Sequence, residues 1–277
     1  MNSHQPLNGK SGETFSMPVD DISMSCRVFG EGYPLVFIMG YGSTMNLWEP
    51  GLLDLFASRF KVIVFDNRGM GDTGEGTEDY SIVRMADDTA GLMRALNIQQ
   101  AHVLGWSMGS LVAQELAFRH PSLLSKLVLY AAHCDAQMFP PSLEVLSMLT
   151  DTSGSPEERG MRYISVLFPE AWMEANGQRL KEIFYRPMGR IPEDITARQS
   201  AAIDAWSGTT ERLPMLDNPT LIITGSDDRL VSPHNARYLA EKIPQPHAQL
   251  CVVEHAGHGL MFQYPELFFE KVAAFLQ

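Results

Sequence analysis

Ala101-His-Val-Leu-Gly105-Trp-Ser107-Met-Gly109-Ser-Leu-Val-Ala-Gln-Glu-Leu-Ala-Phe-Arg119 is the stretch from which the rest of the chain is read. Its first five residues form a short apolar run of the kind that makes a strand covered on both faces. From Met108 to Arg119 the pattern is that of a helix. Between them stands Gly-x-Ser-x-Gly, with Ser107 at its centre. A strand that turns directly into a helix needs a sharp, strained turn. Small residues two before and two after the serine let the backbone pack without collision. Such a turn projects the hydroxyl outward, and the helix start behind it favours developing negative charge. Five letters of this kind arise by chance in many chains. The strand–turn–helix context is what makes Ser107 a candidate nucleophile.

Similar apolar runs recur on both sides: Leu35–Met39, Lys61–Phe65, Lys126–Tyr130, Thr220–Thr224 and Gln249–Val253. Ile22–Val28 alternates apolar with polar residues instead and predicts part of an amino-terminal antiparallel hairpin at the sheet edge. Helical spacing occupies Ile82–Leu96, Ser232–Lys242 and Glu266–Leu276. This strand–helix alternation predicts a doubly wound, mostly parallel α/β sheet. It breaks between residues 134 and 215, where no good strand run occurs. Helices are expected there over Pro141–Thr150, Ser155–Leu167, Glu170–Phe184 and Pro192–Trp206. Ser155-Pro-Glu-Glu is a good helix start, with a capping serine and proline at the first helical position. Both flanks return to core strands, so residues 134–215 read as a helical lid inserted into a core of residues 16–133 and 216–277.

A serine hydroxyl needs a base to take its proton, and the base needs an orienting carboxylate. His258, in Glu254-His-Ala-Gly-His258-Gly, follows the last predicted strand, on the sheet edge where the serine turn is expected. Flanking glycines leave its loop free to aim the imidazole. His255 is the main rival, closer to the strand end and more in keeping with a structural role. His133 follows the serine too soon for the usual order of base last. For the carboxylate, Asp228 in Thr224-Gly-Ser-Asp-Asp-Arg-Leu-Val-Ser-Pro233 is preferred to its solvated neighbour Asp227, with Asp135 as a second candidate. Aspartates in such loops also commonly cap helices. The oxyanion needs two donors. These are expected to be the backbone N–H groups of Met108 and of Tyr41, the latter in the glycine-bearing loop Met39-Gly40-Tyr41-Gly42-Ser43. Methionine and aromatic residues crowd the insertion and the candidate site, suiting an apolar, adaptable pocket. Gly40, Trp106, Phe139, Trp172 and Trp206 are the expected substrate contacts, although such residues also pack helices onto a core.

With these motifs the chain resembles the α/β-hydrolase superfamily, near its lidded esterase, lactonase and cofactor-free haloperoxidase-like branch. The resemblance runs from about Val19 to the carboxyl terminus. It rests on Met39-Gly40, Asp66-Asn-Arg-Gly-Met-Gly71, the serine turn, the loop at Gly225, and Gly257-His258 followed by Pro265-Glu-Leu-Phe. It implies an eight-stranded sheet and the triad order Ser, Asp, His. Met39 stands where the family usually has histidine, and Met70 where many relatives carry histidine. Haloalkane dehalogenases and epoxide hydrolases place aspartate where this chain has Ser107. The resemblance implies a serine hydrolase that cleaves an ester, lactone or thioester of a small to medium apolar substrate. Cofactor-free haloperoxidase or perhydrolase chemistry and carbon–carbon bond hydrolysis use the same triad and are the alternatives. A non-catalytic ligand receptor usually carries a damaged triad.

Composition narrows the partners. Lys and Arg number 21 against 33 Asp and Glu, a formal charge of -12, with no basic stripe. Such a chain repels phosphate backbones, so nucleic acid is not an expected partner. Three scattered cysteines, Cys26, Cys134 and Cys251, give neither a disulfide framework nor metal spacing. No apolar stretch reaches the roughly 18 residues of a membrane span. Residues 1–15 are polar and lack a secretory pattern. The expectation is a cytoplasmic protein with a loose amino-terminal tail, no cofactor and no metal. Its partner is a small-molecule acyl substrate, and a homodimer is left open.

Overall fold

The computed structural model describes residues 12–277. Most of the expected tail lies outside the described residues. Residues 12–15 are already tied to the sheet: Gly12 N–H donates to Val28 O, Arg27 Nε donates to Thr14 Oγ1, and Phe15 opens the first strand.

The strands are β1 (Phe15–Val19), β2 (Ile22–Phe29), β3 (Tyr33–Ile38), β4 (Phe60–Phe65), β5 (Ala101–Trp106), β6 (Leu124–Tyr130), β7 (Thr220–Gly225) and β8 (Ala248–Val253). They form one eight-stranded sheet in the order β1-β2-β4-β3-β5-β6-β7-β8. β1 and β2 pair antiparallel, β2 joins β4 antiparallel, and every later pairing is parallel. The continuous apolar runs follow from this, because helices cover both faces. α2 (Ile82–Ala95), α3 (Met108–Arg119) and α9 (Pro233–Lys242) bury Met85, Leu111 and Leu239 on one face. α1 (Pro50–Ala57) and α11 (Pro265–Leu276) bury Leu52, Phe56, Phe268 and Val272 on the other. Each such side chain, fully buried, contributes about 1.5–3 kcal/mol.

From β3 the chain crosses to β4 on one side, then returns to β5 on the other. The loops after β3 and β5 therefore diverge, opening a crevice at the carboxyl ends of these strands, the usual ligand position in such sheets. α1 was not legible in advance, because Pro50-Gly51 reads as turn punctuation. Here Pro50 opens the helix, and Glu49 caps it by accepting from Leu52 N–H at 2.7 Å.

Five helices lie between β6 and β7: α4 (Leu143–Thr150), α5 (Pro156–Leu167), α6 (Glu170–Ala175), α7 (Gly177–Phe184) and α8 (Glu193–Asp204). The segment expected as one helix over Glu170–Phe184 is broken at Asn176, whose side chain donates back to Trp172 O (2.8 Å). Ser155 and Glu158 form a reciprocal capping box at the start of α5. The insertion closes at Thr209, whose N–H donates to Cys134 O at 2.8 Å. Leu213 and Leu216 are buried in the same cluster as Ala202 of α8. α10 (Leu260–Gln263) is a single turn between β8 and α11.

The loop after β4 is held by Arg68, whose side chain is fully buried. It pairs with Asp88 of α2 (2.9 and 2.7 Å), with Asp21 of the β1–β2 turn (2.8 and 3.1 Å), and with Glu75 O (3.0 Å). The guanidinium holds the Asp21 carboxyl well below the usual carboxylate range. Removing one partner of a buried pair strands the other charge. Arg68→Met is expected to lower unfolding free energy by about 3–5 kcal/mol, read from urea midpoints. A loss below about 1 kcal/mol contradicts this account of the loop.

Among the described residues no helix is long and apolar enough to cross a membrane. No group of three or more His, Cys, Asp or Glu among them is placed to hold a metal ion.

Candidate active site

Ser107 sits between β5 and α3 with φ 54° and ψ −122°, a conformation L-residues rarely adopt. Two neighbouring glycines make the turn passable. A Cβ at Gly105 would stand 2.2 Å from Gly109 O, and one at Gly109 would stand 2.1 Å from Ile38 O. Ser107 N–H donates to Tyr130 O (3.0 Å), and its own carbonyl accepts from Ser110 Oγ (2.6 Å). Its side chain makes no cap bond to α3, and Ser107 lines the cavity described below.

Asp228 follows β7 in a loop pinned to the loop after β8, where Asp227 N–H donates to Ala256 O (2.8 Å). Asp228 Oδ1 accepts from Leu230 N–H (3.0 Å) and Val231 N–H (2.8 Å). Its Oδ2 faces His258 Nδ1 at 2.9 Å, with side-chain exposures of 0% and 2%. The carboxylate is thus fixed by two backbone donors and aimed at one imidazole nitrogen, which leaves Nε2 for other work. His258 lines the same cavity as Ser107. Among the described residues no hydrogen bond joins the two side chains, a separation that is common before substrate binds. The rival residues lie elsewhere. His255 is exposed, with φ 60°, and its N–H is bonded to Ser226 Oγ. Asp227 is exposed, and Asp135 accepts from Gln137 N–H in a local turn. His133 does not line the cavity; burial pushes its imidazole down to about 4.

The loop after β3 lies against the serine turn: a Cβ on Gly40 would be 3.1 Å from Trp106 O and 3.3 Å from Ser107 Cβ. Met39 is fully buried, and Asn67 Nδ2 donates to its carbonyl (3.1 Å), so the loop is braced without a histidine there. Gly42 N–H donates to Gln199 Oε1 on α8 at 2.8 Å. Among the described residues, the N–H groups of Tyr41 and of Met108 at the first turn of α3 have no hydrogen-bond partner.

Gly40, Tyr41 and Trp106 line a cavity of about 610 Å³ together with Ser107 and His258. The Met108 side chain is buried in the core, leaving only its backbone available. Three expected contacts lie elsewhere. Phe139 packs on His234 and Tyr238, Trp172 stacks on Phe168 (4.9 Å, 18°), and Trp206 donates through Nε1 to Glu115 Oε1 (2.8 Å). Phe139 and Trp206 thus fasten the insertion to α9 and α3, while Trp172 packs within the insertion. The opposite wall comes from α5 with Met161, Tyr163, Ile164 and Leu167, and from Phe184, Tyr185, Met188 and Ile191 on and after α7. The methionine and aromatic richness of the insertion was the available signal, but it did not distinguish these residues from packing ones. Glu157 supplies a carboxylate, and no Lys or Arg lines the cavity among the described residues.

Comparison with known proteins identifies the fold. The family described as alpha/beta hydrolase fold matches residues 33–265. RutD of Pseudomonas syringae pv. syringae, named as a carbamate hydrolase, is 32% identical over 247 residues, covering 87% of this chain and 93% of its own. BpoC of Mycobacterium tuberculosis, named as a non-heme bromoperoxidase, is 29% identical over 265 residues, covering 86% and 91%. The solved structure of a meta-cleavage product hydrolase from Pseudomonas fluorescens IP01 superposes with a TM-score of 0.79 at 25% identity, covering 95% of this chain and 97% of that one.

Proposed function

The chain belongs to the α/β-hydrolase family, and from that premise we propose that it is a serine hydrolase cleaving an uncharged carboxylic ester, lactone or thioester. The observation that carries this is the strained Ser107 opening onto the same cavity as an imidazole already paired to a buried carboxylate. His258 Nε2 takes the Ser107 proton as Oγ bonds to the substrate carbonyl carbon. Asp228 holds the tautomer and stabilises the imidazolium. The N–H groups of Met108 and Tyr41 receive the oxyanion. His258 then passes its proton to the leaving oxygen or sulfur. Water attacks the acyl-enzyme, with His258 again the base, releasing the acid and restoring Ser107. The helical insertion acts as the lid over this chemistry.

The walls supported for this reading are apolar, and the volume falls in the ordinary ligand range of roughly 300–1,000 Å³. With a carboxylate at Glu157 and no Lys or Arg in the lining among the described residues, an uncharged acyl group suits the cavity better than an anionic one. The name of the P. syringae relative widens the class, because a carbamate carbonyl is attacked in the same way. A panel of p-nitrophenyl esters tests the proposal. Each methylene buried is worth about 0.8 kcal/mol, so kcat/KM is expected to rise roughly fourfold per methylene from acetate until the cavity fills. An acyl chain ending in a carboxylate is expected to be a poorer substrate than its neutral counterpart. Absence of ester, thioester, lactone and carbamate turnover, with peracid formation from peroxide and acetate in the same preparation, contradicts the reading.

A further inference from the structure

The geometry points to Tyr130 as a positioning residue that sets nucleophile and base against each other, the main chain holding Ser107 and the side chain holding His258. This rests on the serine-hydrolase reading above. Tyr130 is the last residue of β6, paired in register with Trp106 on β5. Its carbonyl accepts from Ser107 N–H at 3.0 Å. Its hydroxyl donates to the carbonyl of His258 at 2.6 Å and accepts from Met261 N–H at 3.2 Å. Trp106 Nε1–H reaches the same His258 carbonyl at 3.3 Å. The two rings stack at 5.8 Å and 12°. One rigid aromatic pair thus spans the gap between the serine turn and the loop that carries the base.

Space-filling does not explain the hydroxyl. Tyr130 is fully buried, and a phenylalanine would fill the same volume without desolvating an O–H. The bonds it makes are to the base residue itself and to the turn that follows it. Burial holds the phenol well above its usual pKa, so it remains a donor across any ordinary assay range. Tyr130 does not line the cavity, so it acts through His258 and not on substrate. Displacements of about 1 Å in a catalytic group can lower rate by roughly 100-fold.

Tyr130→Phe keeps the ring and removes the hydroxyl. Expected on p-nitrophenyl butyrate is a fall in kcat of about 10–100-fold with KM within roughly twofold. The rate constant for fluorophosphonate labelling of Ser107 should fall by the same factor. Tyr33→Phe is the control. It removes a hydroxyl that donates to Gln100 Oε1 at 3.1 Å at the amino-terminal end of β3, the sheet edge opposite the site, and should leave both kcat and the labelling rate unmoved. If Tyr130→Phe does not fold, Trp106→Phe, which removes the other donor to the same carbonyl, reads the same labelling rate and should slow it. Wild-type labelling with an equally fast folded Tyr130 variant overturns the positioning role and leaves the hydrolase reading intact. A wild-type Ser107 that does not react overturns both.

Discussion

Ser107→Ala is expected to lower kcat on a p-nitrophenyl ester by about 10³–10⁶-fold, with a fold that survives the change. The substitution removes one oxygen. The bonds that hold the turn, from Ser107 N–H to Tyr130 O and from Ser110 Oγ to Ser107 O, use main-chain atoms that alanine keeps. The serine hydroxyl caps nothing on α3. Alanine at φ 54° carries about the same backbone strain as serine there. Stability should therefore change little while turnover collapses. A kcat within tenfold of wild type removes Ser107 from the mechanism.

Asp228→Asn is the second large effect, an expected loss of about 10³–10⁴ in kcat with little change in KM. The reason lies in the loop. Oδ1 is committed to the N–H groups of Leu230 and Val231, so the amide oxygen of asparagine must take that place. Its NH2 group then faces His258 Nδ1, where Oδ2 stood at 2.9 Å. An imidazole receiving a hydrogen bond at Nδ1 carries its proton on Nε2 and cannot accept one from Ser107. Steady-state kinetics on the ester panel check this. A loss smaller than tenfold means that the carboxylate serves the loop and not the imidazole.

What the sequence made legible was what local chemistry dictates. Gly105-Trp-Ser-Met-Gly109 predicts a strained turn because only glycines fit beside those backbones, and the clashes at both positions agree. The parallel strands announce themselves as apolar runs because both faces are covered. The cavity wall was not legible in the same way. Trp206 and Met161 both stand in an apolar, helical insertion. Only tertiary packing sends one to Glu115 and the other to the cavity. The break at Asn176 and the start of α1 at Pro50 are decided by one or two residues, against periodicity read over a dozen. Tyr130 is hidden for the opposite reason. At the end of the run Lys126–Tyr130 it reads as one more core aromatic, and its hydroxyl acquires meaning only when His258, far along the chain, is brought beside it.

The central claim is that the oxygen of residue 107 is made nucleophilic by the buried pair of residues 228 and 258. The most direct test is peptide mapping by mass spectrometry after treatment with a fluorophosphonate. The account predicts a single phosphonyl adduct on the peptide carrying Ser107, absent in the Ser107→Ala protein and formed much more slowly in the Asp228→Asn protein. Unmodified wild-type protein, or an adduct that forms equally fast without Asp228, contradicts it.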